Sequence, residues 1–396
     1  MEKPAIEGGT PARREFLKFG NPNIGQEEID EVVDSLKAGE IAMGRKCLKF
    51  EEEFSKYTGA KFAVSLGSCT AALFLSMKAA GIGKGDEVVT TPMTFAATAN
   101  TIIHAGAKPV FADIDAETWD ISPEKIKKKI SKKTKAIIPV DYAGLPCDFD
   151  EIREIAGQKK LFVIEDAAHA AGAEYKNKKI GSLSDMTCFS FYAVKNLAMG
   201  EGGAVTTDNE KWAKKISTLR MHGMDKPAWD RYSSAGYRPY RIVEAGYKAN
   251  MTDLQAAIGL PQLKKLDLLN SQREKLAKIY EKELDIDGVI LQKRKSDRKQ
   301  VWHFFPILIE TEKLRKTRNE FITAMQKENI GVSLHYTALH LEPFYRKTFG
   351  YMKNSFPNAE FVSSSVISLP LYPKMAEEDA ESVCSAVKKL VEYYKK

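Results

Sequence analysis

A chain of 396 residues with 43% apolar and 29% charged side chains has the composition of a globular protein, which excludes a disordered or fibrous chain. Its length suits two or three domains and a large core. The formal charge of +7, from 60 Lys and Arg against 53 Asp and Glu, is too mild to call for nucleic acid, while it suits a small anionic substrate. Five cysteines, Cys47, Cys69, Cys147, Cys188 and Cys384, are odd in number, scattered and without a C-x-x-C pair. Neither a disulfide framework nor a zinc site is expected from them, and a reducing, cytoplasmic setting is the simplest reading. The N-terminal MEKPAIEGGTPARREF lacks the apolar core of a signal peptide, and no run approaches the roughly 18 apolar residues of a membrane span.

Along the chain there is no internal repeat. QEEIDEVVDSLKAG (26–39) has helical spacing and stops at a glycine. Seven short runs follow, KFAVSL, DEVVTT, PVFADI, AIIPV, LFVIED, TCFSFY and GAVTT, with helix-compatible segments between the first six. Most are continuously apolar, as strands covered on both faces are, and the alternation predicts an α/β fold with a mostly parallel, doubly wound seven-stranded sheet flanked by helices. The basic run KIKKKISKKTK (125–135) reads as a solvated helix end, with Ser122 as cap, Pro123 at the first position and lysines where the macrodipole favours them. Its rival is a nucleic-acid patch. Residues 208–250 are less regular, with Trp229, Tyr232, Tyr237 and Tyr240 scattered among Gly, Pro and Arg. A long helix over 251–284, capped by Thr252 and kinked at Pro261, then leads into an α+β segment ending in AEEDAESVCSAVKKLVEYYKK. The expected organisation is an N-terminal arm (1–24), a large domain (25–255) and a smaller α+β domain (256–396).

In an open parallel sheet, ligands sit beyond the carboxyl ends of the strands, where the polar residues of this chain gather. After FAVSL come Ser68, Cys69 and Thr70, opening a helix whose N-terminus can take an anion or simply be capped by these hydroxyls. After EVVTT come Thr94 and Phe95, a core aromatic or a face on which a planar cofactor stacks. Asp166 ends an apolar strand, either as a cap or as a carboxylate paired across a cavity, with His169 one turn on. Ser190 and Lys195 lie between an aromatic strand and the glycines of MGEGG; the lysine either snorkels to the surface or is desolvated into a nucleophile. Together an anion site, a stacking face, a carboxylate and a lysine meet the needs of pyridoxal phosphate, whose ring nitrogen wants an acidic partner and whose aldehyde wants an amine.

The ordered motifs GSCTAAL, TPMTFAATAN, GAKPVFADID, IEDAAHAAGA, FSFYAVKNL, GEGGAVTTD and GYKANMTDLQAAIGL resemble the DegT/DnrJ/EryC1/StrS sugar aminotransferases, from about residue 18 to the C-terminal SLPLYPKMAEEDAESV. The resemblance implies a fold-type I pyridoxal-phosphate enzyme acting on nucleotide-linked keto sugars. It makes Lys195 the Schiff-base lysine, Asp166 the partner of the pyridine nitrogen, His169 a neighbour of the cofactor oxygen, Phe95 the stacking ring, and Cys69, Thr70 and Ser190 phosphate contacts, with Ser68 among the cofactor-binding residues. Lys248 and Asn250 match positions that reach the cofactor phosphate of the neighbouring subunit, which implies a homodimer with shared sites. Cys69 and His169 depart from the glycine and glutamine of many members, yet a backbone N–H and an imidazole still serve there. His169, HGMDKPAWDR (222–231) and GYKANM most resemble the branch making UDP-4-amino-4-deoxy-L-arabinose, with glutamate as donor and the C4 keto carbon of a UDP-4-keto pentose as acceptor, a precursor for polysaccharide or lipopolysaccharide. In SLHYTALHLEPFYR (333–346), His335 and Tyr336 are the expected substrate residues, with packing as their other reading. For the donor carboxylate, Arg220, Arg231, Arg238 and Arg241 remain equivalent.

Lysine at 195, rather than the histidine of the family's dehydratases, implies transamination. Alternatives are C3 or C4 amination of a dTDP-, UDP- or GDP-linked keto hexose, a lyase or desulfurase, for which Cys69 and Cys188 look too fixed, and a non-catalytic cofactor-binding regulator, against which the Lys195 and Asp166 pair argues.

Overall fold

The structure is a computed structural model that describes residues 2–225 and 239–396. Strands β1 (Phe62–Leu66), β2 (Glu87–Thr90), β3 (Lys108–Phe111), β4 (Thr134–Ile138) and β5 (Phe162–Asp166) are followed by a two-residue hairpin, β6 (Glu174–Tyr175) and β7 (Lys178–Lys179), and by β8 (Met186–Ser190) and β9 (Gly203–Thr207). Seven of them form one sheet in the order β1-β9-β8-β5-β4-β2-β3. All neighbours pair in parallel except β9, which runs antiparallel to β1 and β8. Around the sheet pack α1 (Gln26–Ala38), α2 (Arg45–Thr58), α3 (Cys69–Ala79), α4 (Ala96–His104), α5 (Pro123–Lys127), α6 (Phe149–Lys159), α7 (Glu210–Leu219) and α8 (Asp253–Lys264).

The strands are apolar on both faces because both are covered. Val89, Ile137, Val163, Phe189 and Ala204 join one core with Phe50 and Phe54 of α2 and Phe149 and Ile152 of α6. Their neighbours in sequence, Val88, Ile138, Ile164, Cys188 and Val205, join the opposite core with Ala72, Leu75 and Ile102. The period of two along each strand distributes consecutive residues between these layers.

Helix α9 (Leu266–Glu283), β10 (Val289–Leu291), β11 (Arg298–Lys299), β12 (Phe305–Ile309), α10 (Arg318–Lys327), α11 (Pro343–Phe349), α12 (Pro357–Ser365), β13 (Val366–Leu369) and α13 (Glu377–Tyr394) complete the chain. A three-stranded antiparallel sheet, β10-β12-β13, shares its core with α9, α10 and α13. Residues before α1 lie on this part: Leu17 bridges Ile330, and the N–H groups of Ala5 and Ala12 donate to Glu328 at 2.9 and 2.7 Å. A further core, with Met93, Phe111 and Tyr142 against Phe304, Leu308 and Val366, joins the two sheets.

Three local expectations are corrected. No helix separates β5 from β8; turns and the β6–β7 hairpin fill the interval. Gly172 there has φ 90°, and a Cβ on it would lie 2.6 Å from Asn270 Nδ2, so the chain turns where a helix would need to continue. The lysine run is helical only over Pro123–Lys127, with Ile126 as its buried residue, although Ser122 caps it as expected. The long helix breaks at Lys265 rather than at Pro261, which α8 carries one turn before its end; the capping box of Thr252 and Gln255 fixes its start.

Candidate active site

At the carboxyl edge of the large sheet, Ser68, Cys69, Thr70, Phe95, Asp166, His169, Ser190, Lys195, His335 and Tyr336 line one cavity of about 530 Å³. Ser68, Cys69, Phe95, Asp166 and Ser190 arrive where an element starts or stops, whereas Lys195, His335 and Tyr336 sit on the connecting segments. Ser68 is the N-cap of α3, its hydroxyl accepting from the Ala71 N–H at 3.1 Å. Helix geometry leaves the N–H groups of Cys69 and Thr70 without intrahelical acceptors, so they are donors available to an anion. Gly203, at the start of β9, is packed against this helix end: a Cβ there would lie 2.4 Å from the Ser68 carbonyl carbon and 2.5 Å from the Cys69 nitrogen.

Phe95 caps α4 with its ring 62% exposed, and the ring centre of Tyr336 is 6.1 Å away. Its exposure rules out the core reading. Asp166, the last residue of β5, is buried and accepts from Thr98 Oγ1 at 2.7 Å and the Ala168 N–H at 3.2 Å, with Cys69 Sγ at 3.9 Å. Burial pushes its carboxyl up, against the lowering action of those hydrogen bonds and of the Lys195 charge. Lys195 leaves β8 through a turn closed by its own N–H to the Tyr192 carbonyl at 2.9 Å. Desolvation lowers its ammonium from 10.5 to about 8.

His169 is buried, with Nε2 3.1 Å from the Tyr336 hydroxyl and Nδ1 without a partner among the described residues. Burial and then the Lys195 and His335 charges hold it well below the usual histidine range, so it is neutral at pH 7. His335 stacks on Phe304 at 4.2 Å, and its Nδ1 lies 2.9 Å from Ser368 Oγ; burial pushes it down to about 3. These residues therefore combine packing with access to the cavity.

Sequence reasoning missed Thr98, which orients the Asp166 carboxylate and itself meets Thr94 Oγ1 at 2.7 Å. The spacing of the two threonines on one helical turn was the available signal, but nothing in it pointed to a strand distant in sequence. It also missed Tyr192, Glu201 and Leu334 on the cavity wall. Lys248 and Asn250 lie outside this cavity: Lys248 Nζ is 3.9 Å from Met221 Sδ, and the Asn250 amide donates to the Met251 carbonyl at 2.9 Å. Arg220 is not a donor-carboxylate residue within this chain's cavity. It is buried, paired with Glu51 and bonded to the Ser65 carbonyl at 2.7 Å. Arg241 is exposed and also off the cavity wall, while Trp229, Arg231, Tyr232, Tyr237 and Arg238 lie outside the described residues. Burial raises the thiols of Cys69 and Cys188, so neither is the mobile, ionised sulfur a desulfurase needs.

The donor set fits pyridoxal phosphate: free N–H groups at a helix end for the phosphate, an exposed ring face, a buried carboxylate and a desolvated lysine share one cavity. Residues 22–388 match the model of the DegT/DnrJ/EryC1/StrS aminotransferase family. The chain belongs to this family. It is 56% identical over 380 residues to MJ1066 of Methanocaldococcus jannaschii, covering 96% of this chain and 98% of that one. It is 49% identical over 381 residues to the spore coat polysaccharide biosynthesis protein SpsC of Bacillus subtilis, again covering 96% and 98%. Among solved structures, Spr1654 of Streptococcus pneumoniae in its PMP form superposes with a TM-score of 0.90 at 32% identity over 95% of this chain and 99% of that one. Its PLP form gives 0.89, also at 32% identity, over 96% and 99%. The enzyme is a PLP-dependent sugar aminotransferase of fold type I. No helix among the described residues is long and apolar enough to cross a membrane.

Proposed function

We propose that this aminotransferase moves an amino group from L-glutamate to the C4 keto carbon of a nucleotide-linked keto sugar, a UDP-4-keto pentose or similar, in the manner of the UDP-4-amino-4-deoxy-L-arabinose branch. The observation that carries the chemistry is the convergence of Lys195 and Asp166 on one cavity beside the free end of α3. The relationship to SpsC, a polysaccharide biosynthesis protein, supports a sugar precursor as acceptor. Amination at C3 or C4 of a dTDP-, UDP- or GDP-linked keto hexose is the other reading.

When bound, pyridoxal phosphate supplies an aldehyde that amines condense with and a ring that takes up electrons as a Cα–H bond breaks. The N–H groups of Cys69 and Thr70 and the hydroxyls of Ser68, Thr70 and Ser190 bind the phosphate. Phe95 covers the ring face. Asp166, held by Thr98 and the Ala168 N–H, keeps a proton on the ring nitrogen, and its burial strengthens that charge pairing. With its ammonium at about 8, Lys195 is partly neutral near pH 7, so Nζ can form the covalent anchor, take a proton from the donor's Cα and deliver one to the sugar carbon. His169, neutral and bonded to Tyr336, offers a hydrogen bond to the cofactor oxygen without adding charge. His335 and Tyr336 face the substrate. Lys248 and Asn250, which this chain's own cavity does not use, serve the neighbouring subunit's phosphate in a cytoplasmic homodimer.

The reading is tested by incubating the loaded enzyme and glutamate with UDP-, dTDP- and GDP-linked 3-keto and 4-keto sugars and reading products by mass spectrometry. The UDP-linked pentose is expected to gain an amine at C4. Exclusive conversion of a hexose would favour the second reading, and no amination of any keto sugar would overturn both.

A further inference from the structure

Behind Asp166, on the side of β5 turned away from the cavity, the carboxyls of Glu165 and Asp141 are buried together. The period of two along the strand puts Glu165 on the face of Val163, opposite Asp166. The segment after β4 continues the parallel pairing. Val140 bridges Asp166, the Asp166 N–H donates to the Pro139 carbonyl at 2.9 Å, and the Asp141 N–H donates to the Asp166 carbonyl at 3.2 Å. Asp141, one residue past that bridge, therefore shares the face of Glu165, and the two side chains hydrogen-bond.

The donors around these carboxyls leave one oxygen of each bare. Glu165 Oε2 accepts from Ser184 Oγ and Thr187 Oγ1, each at 2.8 Å, and Asp141 Oδ1 accepts from the Cys147 N–H at 3.0 Å. Glu165 Oε1 and Asp141 Oδ2 meet no donor among the described residues. Two carboxylates offer only acceptors, so a hydrogen bond between them requires a proton. Burial pushes both carboxyls above the usual range, Asp141 further under the Glu165 charge. The titratable groups facing the pair are all acids: Asp120, whose Oδ2 is likewise bare, Asp166, and the thiols of Cys147 and Cys188. The Arg298 guanidinium acts on Asp120 and is paired with Asp148 at 2.8 Å and Asp297 at 2.7 Å.

We propose that Asp141 and Glu165 hold one proton between them and act as positioning residues for Asp166. The shared proton lets two acids bind where they would repel, which ties the end of β5 to the segment after β4 and fixes the Asp166 backbone through the Asp141 N–H. One negative charge remains on the pair, stabilised by Ser184, Thr187 and the Cys147 N–H. Sitting next to Asp166, that charge favours the protonated form of the ring nitrogen. The inference rests on Asp166 as the ring-nitrogen partner, proposed above.

The test uses full-length, cofactor-loaded enzyme carrying Glu165→Gln alone or together with Asp141→Asn. On urea unfolding at pH 7, where free carboxyls are ionised, wild type is expected to release about one proton more than either variant, read in a pH-stat. The fold raises the pair's pKa, so its stabilising effect is complete in acid and is lost as pH rises. Between about pH 5 and 8, the folding constant of wild type therefore falls about tenfold per pH unit relative to Glu165→Gln. The single variant keeps one charge and one hydrogen bond, the double variant only the hydrogen bond. The alkaline limb of the kcat profile is expected about one pH unit lower in the double than in the single variant. Equal proton release by wild type and Glu165→Gln would overturn the shared proton, and more protons from the single than from the double variant would overturn the remaining charge. Coincident alkaline limbs would overturn the effect on Asp166 while leaving its own role standing; wild-type kcat in Asp166→Asn would overturn that role instead.

Discussion

In the proposed mechanism Lys195 is the residue on which the chemistry turns, and desolvation lowers its ammonium to about 8. Between about pH 8 and 10.5 the unfolded chain holds a proton that the cofactor-free fold has lost. Stability of the cofactor-free protein therefore rises with pH in that window, and Lys195→Met removes this contribution from a series of urea titrations. The same shift predicts that cofactor capture by the cofactor-free protein accelerates through about pH 8 and then levels; a rise continuing toward 10.5 would mean a solvated lysine. Thr98→Val deletes one hydrogen bond to the buried Asp166 carboxylate, which favours its protonated form. The expected outcome is a rate loss of roughly tenfold and an acid limb of the pH–rate profile moved to higher pH. Lys195, Asp166 and Phe95 were legible in the sequence because each follows a readable strand. Thr98 was not, because its partner is a contact between α4 and β5 that only the folded sheet creates.

At the level of elements, the apolar runs predicted the seven strands well because strands buried on both faces need apolar residues at every position. The connection between β5 and β8 was not legible: AAHAAGA has helical propensity, and the turn at Gly172 answers to Asn270, a residue far along the chain. The same holds at Gly203, whose role is room for α3 rather than flexibility. Gly203→Ala drives a methyl into the Ser68 and Cys69 backbone and must displace the helix end. It is expected to destabilise the fold by about 1–3 kcal/mol and to weaken cofactor affinity. Thermal unfolding and fluorescence titration with the cofactor check the two effects separately. Ser68→Ala, by comparison, removes the cap of α3 at a cost of about 1 kcal/mol without moving the backbone.

Across the whole molecule, the segment before α1 is bound to the C-terminal part by a buried charge cluster that composition could not suggest. Glu328 is fully buried, accepts from Ala5 and Ala12, and pairs with Lys389 Nζ at 2.6 Å. Glu328→Ala leaves buried Lys389 with only the exposed Glu2 carboxylate at 3.6 Å and the Thr10 carbonyl at 2.9 Å, and about 3 kcal/mol of stability should be lost, read as a lower urea midpoint. The proposed dimer makes its own prediction: mixing inactive Lys195→Ala with Asn250→Ala protein lets subunits exchange and restores part of the activity, whereas sites confined to one chain would show no recovery. The proposed chemistry depends on one claim above the rest, that the cofactor is anchored at Lys195. Borohydride reduction of the loaded enzyme followed by peptide mass mapping tests it most directly. The cofactor's mass is expected on the peptide carrying Lys195 alone; the mass on another lysine, or on none, would contradict anchoring at Lys195.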